Sequence, residues 1–241
     1  MKKLSSASNA DFKDLKALFS SRGIKRQQRF LLMGEKIIQE FLVNPSMEIL
    51  GEVRTEKLFP VTKSEQLILD TELFNDLDEV GTHYNILVVA LPEIPEHQPE
   101  LEVEGLEVVT PLGDPNNLGA LIRSAVAFGS KKIILTEEAC HPYHPRCIKG
   151  SAGAVVKAPL YRGRSLRTYD TQNSYALDMT GTPLDKFVCP PNFRLVVGEE
   201  GPGLNFDHAH SIAIPTQGVE SLNATVAASV ALYVYKTKNQ K

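Results

Sequence analysis

The chain has 241 residues, of which 42% are hydrophobic and 23% charged, and its formal net charge is −3. This composition is typical of a globular protein and excludes a fibrous or largely disordered one. No apolar run approaches the roughly 18 residues of a membrane span, and polar residues follow the basic start where a signal peptide has an apolar stretch. Three cysteines are too few for a disulfide framework, so we expect a protein of the reducing cytoplasm with no membrane partner.

Basic and acidic side chains are concentrated in different parts of the chain. Residues 1–36 carry nine basic and three acidic side chains, residues 37–107 carry three and sixteen, and residues 108–241 carry fourteen and ten. Nucleic acids bind to local basic patches whatever the net charge of the chain. The first block therefore predicts that Arg22, Lys25, Arg26 and Arg29 contact nucleic-acid phosphates. A solvated helix face is the alternative explanation of these charges. The acidic second block indicates that nucleic acid does not wrap around the whole N-terminal part.

Helix and strand patterns alternate in the N-terminal part. Apolar residues recur at helical spacing over residues 12–19 and 37–42, with a break at residues 20–23. Strand-like stretches follow at residues 48–53, 66–69 and 84–90. They predict a small mixed α/β domain over residues 1–95. The proline- and glutamate-rich stretch that follows predicts an exposed linker over residues 96–105.

The remaining residues, 106–241, alternate strand and helix patterns more regularly. Strands are predicted at residues 106–112, 131–136, 155–160, 175–179, 194–198 and 211–215, and helices at residues 117–128, 165–173 and 221–236. Such alternation predicts an α/β domain with a mainly parallel sheet and helices on both faces. Ligands of these sheets bind at the carboxyl ends of the strands, which is where the glycine- and asparagine-rich turns fall.

Two of these turns suit a binding site. The first, DPNNLG at residues 114–119, leads into a helix that Asn117 can cap and that carries Arg123. The second runs from Gly198 to Gly203 and has three glycines in six residues, which permits close backbone approach to a ligand. Its spacing matches neither a dinucleotide fingerprint nor a phosphate loop. Each turn alone also fits a plain strand–turn–helix connection.

The third turn, IPTQGVESLN at residues 214–223, leads into an alanine-rich helix that Ser221 or Asn223 can cap. A buried, capped helix explains this turn equally well on its own. Two cysteines and two histidines between residues 140 and 147 are metal-ligand types, but their order and the neighbouring prolines do not fit a zinc site. We therefore predict no metal.

Together, the three turns resemble the sequence motifs of the SpoU/TrmH family of RNA methyltransferases in order, spacing and residue type. The stretch DPNNLGALIRSAVAFG resembles motif 1, LVVGEEGPGL resembles motif 2 and IPTQGVESLNATVA resembles motif 3. Between the first two motifs, HPRCIKGSAGA is similar to a further family stretch and contains Lys149. The resemblance covers essentially all of residues 106–236.

The resemblance implies that the chain transfers a methyl group from S-adenosylmethionine to a ribose 2′-hydroxyl of RNA. It also implies that the C-terminal domain ends in a deep trefoil knot, and that two copies form a homodimer in which the partner completes each site. The cofactor would be held among the loops of motifs 2 and 3, by Gly198, Gly203, Ile214, Gly218 and Leu222.

The family's catalytic positions correspond to five polar side chains, namely Asn117, Arg123, Glu200, Ser221 and Asn223. A ribose hydroxyl is a weak nucleophile until its proton is drawn off or polarised. Arg123 fits either an unusual base or a clamp on the adjacent phosphate, and the permanent positive charge of a guanidinium favours the clamp. Asn117 would order the motif 1 loop, and the other three would fix loops or engage Arg123 and RNA.

The N-terminal part is similar to the accessory domain of many family members, which resembles a ribosomal-protein-type RNA-binding fold. The stretches LSSASNADFKDLKAL and KRQQRFLLMGEKIIQEFL carry this similarity. It implies an RNA partner, ribosomal RNA rather than transfer RNA. Lys149, in the stretch between motifs 1 and 2, is a further RNA-binding candidate. Two alternatives stay open. A base methyltransferase on a similar knotted fold would place the methyl elsewhere, and a non-catalytic RNA-binding or assembly protein would not bind S-adenosylmethionine.

Overall fold

The structure is a computed structural model, which describes residues 1–99, 102–169, 174–198, 210–219 and 221–239. Contacts divide the chain into two units. The first unit joins residues 1–93 to His141–Val156, and the second joins Ile94–Cys140 to Lys157–Lys241. The ranges drawn from the sequence were continuous, whereas each of these units is built from two separate stretches. The assignment of RNA binding to residues 1–95, the linker at 96–105 and methyl transfer at 106–241 stays a prediction.

The N-terminal stretch contains five strands and four helices. They are β1 (Lys2–Leu4), α1 (Ala10–Ala17), α2 (Ser21–Gln27), β2 (Arg29–Leu32), α3 (Glu35–Val43), β3 (Ile49–Arg54), β4 (Glu65–Leu69), α4 (Thr71–Leu77) and β5 (Ile86–Ala90). The strands form one mixed sheet in the order β1-β4-β3-β5-β2. The predicted mixed α/β architecture is therefore present in this part of the chain.

The sequence predicts that the first helix is interrupted at residues 20–23. In the structure α1 ends at Ala17 and a second helix, α2, begins at Ser21, so most of this stretch is helical. Ser20 caps α2 by accepting a hydrogen bond from the Gly23 backbone N–H at 3.0 Å. A Cβ on Gly23 would lie 1.9 Å from the carbonyl oxygen of Ala17. Only a glycine fits at this position, because any side chain would clash with the end of α1. Gly23 lies within α2 and does not interrupt that helix.

The described residues of the rest of the chain form six strands and three helices. They are β6 (Leu106–Thr110), α5 (Pro115–Ala127), β7 (Lys132–Leu135), α6 (Pro145–Gly150), β8 (Leu160–Arg162), β9 (Ser174–Pro183), β10 (Phe193–Val196), β11 (His210–Ala213) and α7 (Ala224–Asn239). Single 3₁₀ turns lie at Ala154–Lys157 and Leu166–Thr168. Among the described residues, no helix is both long and apolar enough to cross a membrane.

The six strands of the second unit form one sheet in the order β11-β9-β10-β6-β7-β8, and every neighbouring pair is parallel. The predicted parallel sheet is confirmed. All residues of β6 and β10 are buried, which is the pattern of central strands in a parallel sheet. The strand predicted at residues 155–160 is wrong, because residues 154–157 form a 3₁₀ turn and the strand begins at Leu160. The trefoil knot stays a prediction, because residues 199–209 lie outside the described ranges.

A buried ionic cluster joins the starts of three neighbouring strands in this sheet. Glu107 accepts hydrogen bonds from Lys132 Nζ at 2.9 Å and from Arg194 Nε at 2.7 Å. Burial raises the pKa of Glu107, but the bonds from both cations outweigh that effect and lower it below its ordinary value. The paired charges fix the register of β6, β7 and β10 at the end of the sheet opposite to the strands' carboxyl ends.

The stretch His141–Val156 packs within the first unit. The sequence had placed it in the methyltransferase domain, residues 106–241. The His141 N–H donates to Ser21 Oγ at 3.1 Å, and the Tyr143 ring lies 4.7 Å from the Phe30 ring, centroid to centroid. Helix α6 therefore belongs to the same unit as α2.

Candidate active site

A cavity of about 370 Å³ opens beside the carboxyl ends of β10 and β11 in the second unit. This is the volume of a site for a small organic molecule. Three stretches of chain line it: part of β9, the residues after β10, and the residues from the end of β11 to the first turn of α7. The lining side chains and backbone belong to Leu177, Asp178, Met179, Thr180, Val197, Gly198, Ile212, Ile214, Thr216, Ser221, Leu222, Ala224 and Ala227.

Four of the predicted site residues meet at this cavity, namely Gly198, Ile214, Ser221 and Leu222. They come from motifs 2 and 3, which are separated in the sequence and brought together because their strands end at the same edge of the sheet. Gly218 is not part of the lining, although it lies in the same loop with a positive φ of 79°. Glu200 and Gly203 lie outside the described residues.

The wall formed by β9 depends on an irregular pairing with β11. The register of these two strands shifts between Ser211 and Ile212. A Cβ on Gly181 would lie 2.4 Å from the backbone carbonyl carbon of Ser211, so only glycine permits this approach. On the cavity side, Asp178 Oδ1 accepts hydrogen bonds from the backbone N–H and the hydroxyl of Thr180, at 2.7 and 2.6 Å.

The first turn of α7 forms one wall of the cavity, and Asn223 caps this helix. Its side-chain oxygen accepts hydrogen bonds from the backbone N–H groups of Thr225 at 3.0 Å and Val226 at 3.3 Å. Of the two capping candidates in the sequence, Asn223 is the one that the structure uses, while Ser221 lines the cavity. The small side chains of Ala224 and Ala227 leave space for a ligand at the start of this helix.

Motif 1 lies on α5, which packs against α7. Thr225 Oγ1 donates to the carbonyl oxygen of Asn117 at 3.1 Å, and the hydroxyls of Ser229 and Ser124 are 2.8 Å apart. The prediction that Asn117 caps α5 is wrong. Asp114 caps the helix by accepting from the Asn116 and Asn117 N–H groups, both at 2.9 Å, because Pro115 begins the helix earlier.

Arg123 lies on the exposed side of α5. Within the described part of the chain its guanidinium forms no ion pair, and neither Arg123 nor Asn117 is among the residues that line the cavity. The structure therefore brings motifs 2 and 3 together at the cavity, and it places motif 1 on the helix beside α7.

An apolar stripe on α7 stays exposed in the single chain. Val226 is 50% exposed, Val230 37% and Tyr233 57%, and their spacing of four and three residues puts them on one face of the helix. The ring of Phe128, at the end of α5, lies 6.0 Å from the Tyr233 ring in an edge-on arrangement.

The five predicted RNA-binding residues all lie in the first unit, in different environments. Arg22, Lys25 and Arg26 are exposed on α2. The guanidinium of Arg29 donates two hydrogen bonds to Gln27 Oε1, at 3.0 and 2.7 Å. Lys149 donates from Nζ to the carbonyl oxygen of Val80 at 2.5 Å. Three of the five cations are therefore presented to solvent, although Arg26 Nη2 also lies 3.9 Å from Asp14 Oδ1. Arg29 and Lys149 are hydrogen-bonded within their own unit.

Glu138 is a residue of this unit that the sequence did not single out. It lies just beyond β7 and accepts hydrogen bonds from the Ser165 hydroxyl and, at 3.1 Å, from the Leu166 N–H. Burial raises the pKa of Glu138, but these bonds outweigh it and lower the pKa to about 2. The ionised carboxylate holds the turn after β8 near the carboxyl end of β7. A charged pair, Glu137-Glu138, directly after a strand was the only sequence signal.

The chain is similar to known RNA methyltransferases. The model of the SpoU rRNA Methylase family matches residues 107–233. A ribosomal RNA small subunit methyltransferase G 2 of Syntrophobacter fumaroxidans is 35% identical over 243 residues, which is 97% of this chain but 49% of that protein. The chain therefore spans about half the length of that relative. The 23S rRNA (guanosine(2553)-2′-O)-methyltransferase RlmP of Bacillus subtilis is 28% identical over 253 residues, covering 97% of this chain and 98% of the relative.

Solved structures share the fold. The SpoU methyltransferase AviRb of Streptomyces viridochromogenes, in complex with the cofactor AdoMet, superposes with a TM-score of 0.81 at 23% identity, covering 95% of this chain and 98% of that one. An AdoMet-bound rRNA methyltransferase of Sinorhizobium meliloti gives a TM-score of 0.79 at 19% identity, covering 99% and 98%. With the family model matching more than half of the residues, this chain belongs to the SpoU rRNA methylase family.

Proposed function

We propose that this chain transfers a methyl group from S-adenosylmethionine to a ribose 2′-hydroxyl of RNA, with ribosomal RNA as the preferred substrate. The observation that carries the proposal is the cavity at which motifs 2 and 3 meet, at the carboxyl ends of a parallel sheet. The Bacillus subtilis relative, which matches over nearly its whole length, is named as a 2′-O-methyltransferase of 23S rRNA. This favours the ribose over the base as the acceptor.

The residues that line the cavity fit the cofactor. Most of the lining is apolar, as the flat adenine ring requires, and a few polar groups such as Thr216 and Ser221 are available for orientation. Gly198 lines the cavity, and a glycine permits close approach of a ligand to the backbone because it has no side chain. We assign cofactor binding to Gly198, Ile214 and Leu222 at the cavity, and to Gly203 and Gly218 on family resemblance. When bound, S-adenosylmethionine supplies an electrophilic methyl group.

The polar residues of the motifs would orient the acceptor. Arg123 carries a permanent charge and a planar pair of donors, so it suits a clamp on an RNA phosphate better than a proton acceptor. Holding the ribose oxygen in line with the methyl group is the principal rate enhancement expected from such a site. Asn223 caps α7, and Ser221 lines the cavity. Asn117 would order the motif 1 loop, and both Asn117 and Glu200 are assigned to the site by their motifs alone.

The exposed stripe on α7 supports a homodimer. Val226, Val230 and Tyr233 present apolar surface on one helix face, and such a face is favourable when a second copy covers it. Arg123 does not line the cavity of its own chain. A second copy packed on α5 and α7 would therefore complete each site. A cytoplasmic location agrees with an RNA substrate and with free cysteines at Cys140, Cys147 and Cys189.

The experiment that tests this function uses S-adenosylmethionine labelled in its methyl group. The full chain is incubated with ribosomal RNA, the RNA is digested to nucleosides, and the labelled product is identified. Label in a 2′-O-methylated nucleoside supports the proposal. Label in a base makes the chain a base methyltransferase. Failure to bind S-adenosylmethionine at all favours the non-catalytic RNA-binding or assembly protein.

A further inference from the structure

The loop between β3 and β4, residues 55–64, presents an aromatic side chain to solvent. Phe59 is 87% exposed, although burying an aromatic ring is among the largest apolar gains available to a folded chain. The β3–β4 loop connects two parallel strands without a helix. Its conformation must therefore be held by side chains of the first unit.

A buried carboxylate holds the second half of the β3–β4 loop. Glu52 is fully buried on β3 and accepts hydrogen bonds from the backbone N–H groups of Val61 and Thr62, both at 2.9 Å. It also accepts from the Thr62 hydroxyl at 2.7 Å. Asn85, which is buried as well, donates both to Glu52 and to the carbonyl oxygen of Phe59, the latter at 2.8 Å.

An arginine holds the first half of the same loop. Arg54 Nη1 donates to the carbonyl oxygens of Thr55 at 3.1 Å and Leu58 at 2.8 Å. Its Nε donates to Gln66 Oε1 at 3.0 Å, and Gln66 in turn donates to Glu52. The backbone on both sides of Phe59 is thus fixed by charged, hydrogen-bonded groups, and a binding partner would not have to order it.

The loop that carries Phe59 has a net positive charge, whereas the longer stretch of sequence that contains it is acidic. Residues 54–63 carry three basic side chains and one acidic one, within a block, residues 37–107, that is otherwise strongly acidic. The acidic residue, Glu56, is paired with Lys3 at 2.8 Å. Lys57 and Lys63 are exposed, and neither forms an ion pair with a described residue. A rigid loop therefore presents one aromatic ring with an unpaired cation on each side of it in sequence.

We propose that Phe59 is a stacking platform for an unpaired base of the RNA substrate, and that Lys57 and Lys63 contact the adjacent phosphates. Aromatic side chains stack on bases that are splayed out of loops and bulges, whereas paired bases are not accessible in this way. The cations favour RNA over a protein partner, since an apolar protein contact gains nothing from two flanking lysines. The inference rests on the proposed function only in taking RNA as the substrate. It adds that the target contains a single-stranded segment.

The test uses the absence of tryptophan from this chain. Phe59→Trp introduces a single fluorophore at the proposed platform, and Val43→Trp introduces one at a matched position, since Val43 is 86% exposed in the same unit. Each full-length variant is titrated with a fluorescein-labelled RNA stem–loop and with a fully paired RNA duplex. Binding is followed separately by fluorescein anisotropy. We expect the stem–loop to quench Phe59→Trp strongly, the duplex to quench it weakly, and neither RNA to quench Val43→Trp.

Affinity gives the second measurement. Phe59→Ala should weaken stem–loop binding about tenfold, within the range of one lost base–aromatic stack, and Val43→Ala should not weaken it. If anisotropy shows binding while Phe59→Trp stays unquenched, or if both tryptophans are quenched alike, base stacking at Phe59 is refuted and the methyltransferase function is untouched. Unchanged stem–loop affinity of Phe59→Ala also refutes it and points to a protein contact at this loop. Absence of any RNA binding overturns both the platform and the proposed function.

Discussion

Replacing Glu138 with glutamine tests how the turn after β8 is held. In the folded chain the Ser165 hydroxyl and the Leu166 N–H donate to this carboxylate. Although burial opposes ionisation, these bonds lower the pKa of Glu138 from 4.5 to about 2. Each unit of pKa shift corresponds to about 1.4 kcal/mol, so the ionised carboxylate stabilises the fold by at most about 3 kcal/mol at neutral pH. The carboxylate is only partly buried, which makes this value an upper limit.

The sign of the pH dependence follows from the lowered pKa. The stabilisation is complete above the unfolded-state pKa of 4.5 and is lost as the pH falls toward the folded-state pKa of about 2. Glu138→Gln should therefore lower the free energy of unfolding at pH 7 by up to about 3 kcal/mol, and the difference from wild type should shrink by up to about 2 kcal/mol at pH 3. Urea unfolding of both proteins at each pH measures this, with exposed Glu137→Gln as the control. A variant as stable as wild type at pH 7, or a difference that does not change with pH, would refute the reasoning.

Three further predictions concern the site itself. Gly181→Ala places a methyl group 2.4 Å from the Ser211 carbonyl carbon. It should destabilise the β9–β11 wall by about 1–3 kcal/mol and abolish S-adenosylmethionine binding in calorimetry. Unchanged cofactor affinity would contradict the role of this wall in the cavity. Arg123→Ala should fold and bind the cofactor as wild type does but slow single-turnover methyl transfer at least about a hundredfold. Arg123→Lys should restore little of the rate. A near-normal rate in Arg123→Ala would refute the role of Arg123 as a phosphate clamp. If the chain forms the proposed homodimer through α7, Val230→Asp should make it a monomer in light scattering, whereas the exposed control Val43→Asp should not. A dimer that persists in Val230→Asp would remove the α7 stripe from the interface.

The parallel sheet could be predicted because strand and helix patterns alternate along residues 106–241 and are separated by turn residues. The pattern does not show that β6 is buried throughout, since Leu106–Thr110 includes the charged Glu107, whose partners Lys132 and Arg194 are distant in sequence. The cavity could be predicted in outline for a related reason, since glycine and asparagine mark the turns at the strand ends. Gly198 and Leu222 were assigned by motif, and both line the cavity.

The features that were missed depend on contacts between residues distant in sequence. Helix α2 is short and polar, so its apolar pattern is too brief to read, and the close approach of Gly23 to Ala17 became evident only in three dimensions. The packing of His141–Val156 with the N-terminal stretch leaves no local signal. Glu52 reads as an exposed strand residue because its partners at Val61 and Asn85 are known only from the fold.

Ribose methylation in the host is the most direct test of the proposed 2′-O-methyltransferase activity. Ribose methylations are mapped at nucleotide resolution in ribosomal and transfer RNA from cells with the gene, without it, and with the gene restored as wild type or as Arg123→Ala. We expect deletion to remove a 2′-O-methyl group from ribosomal RNA, and we expect wild type to restore it while Arg123→Ala does not. An unchanged ribose map, or full restoration by Arg123→Ala, would contradict it.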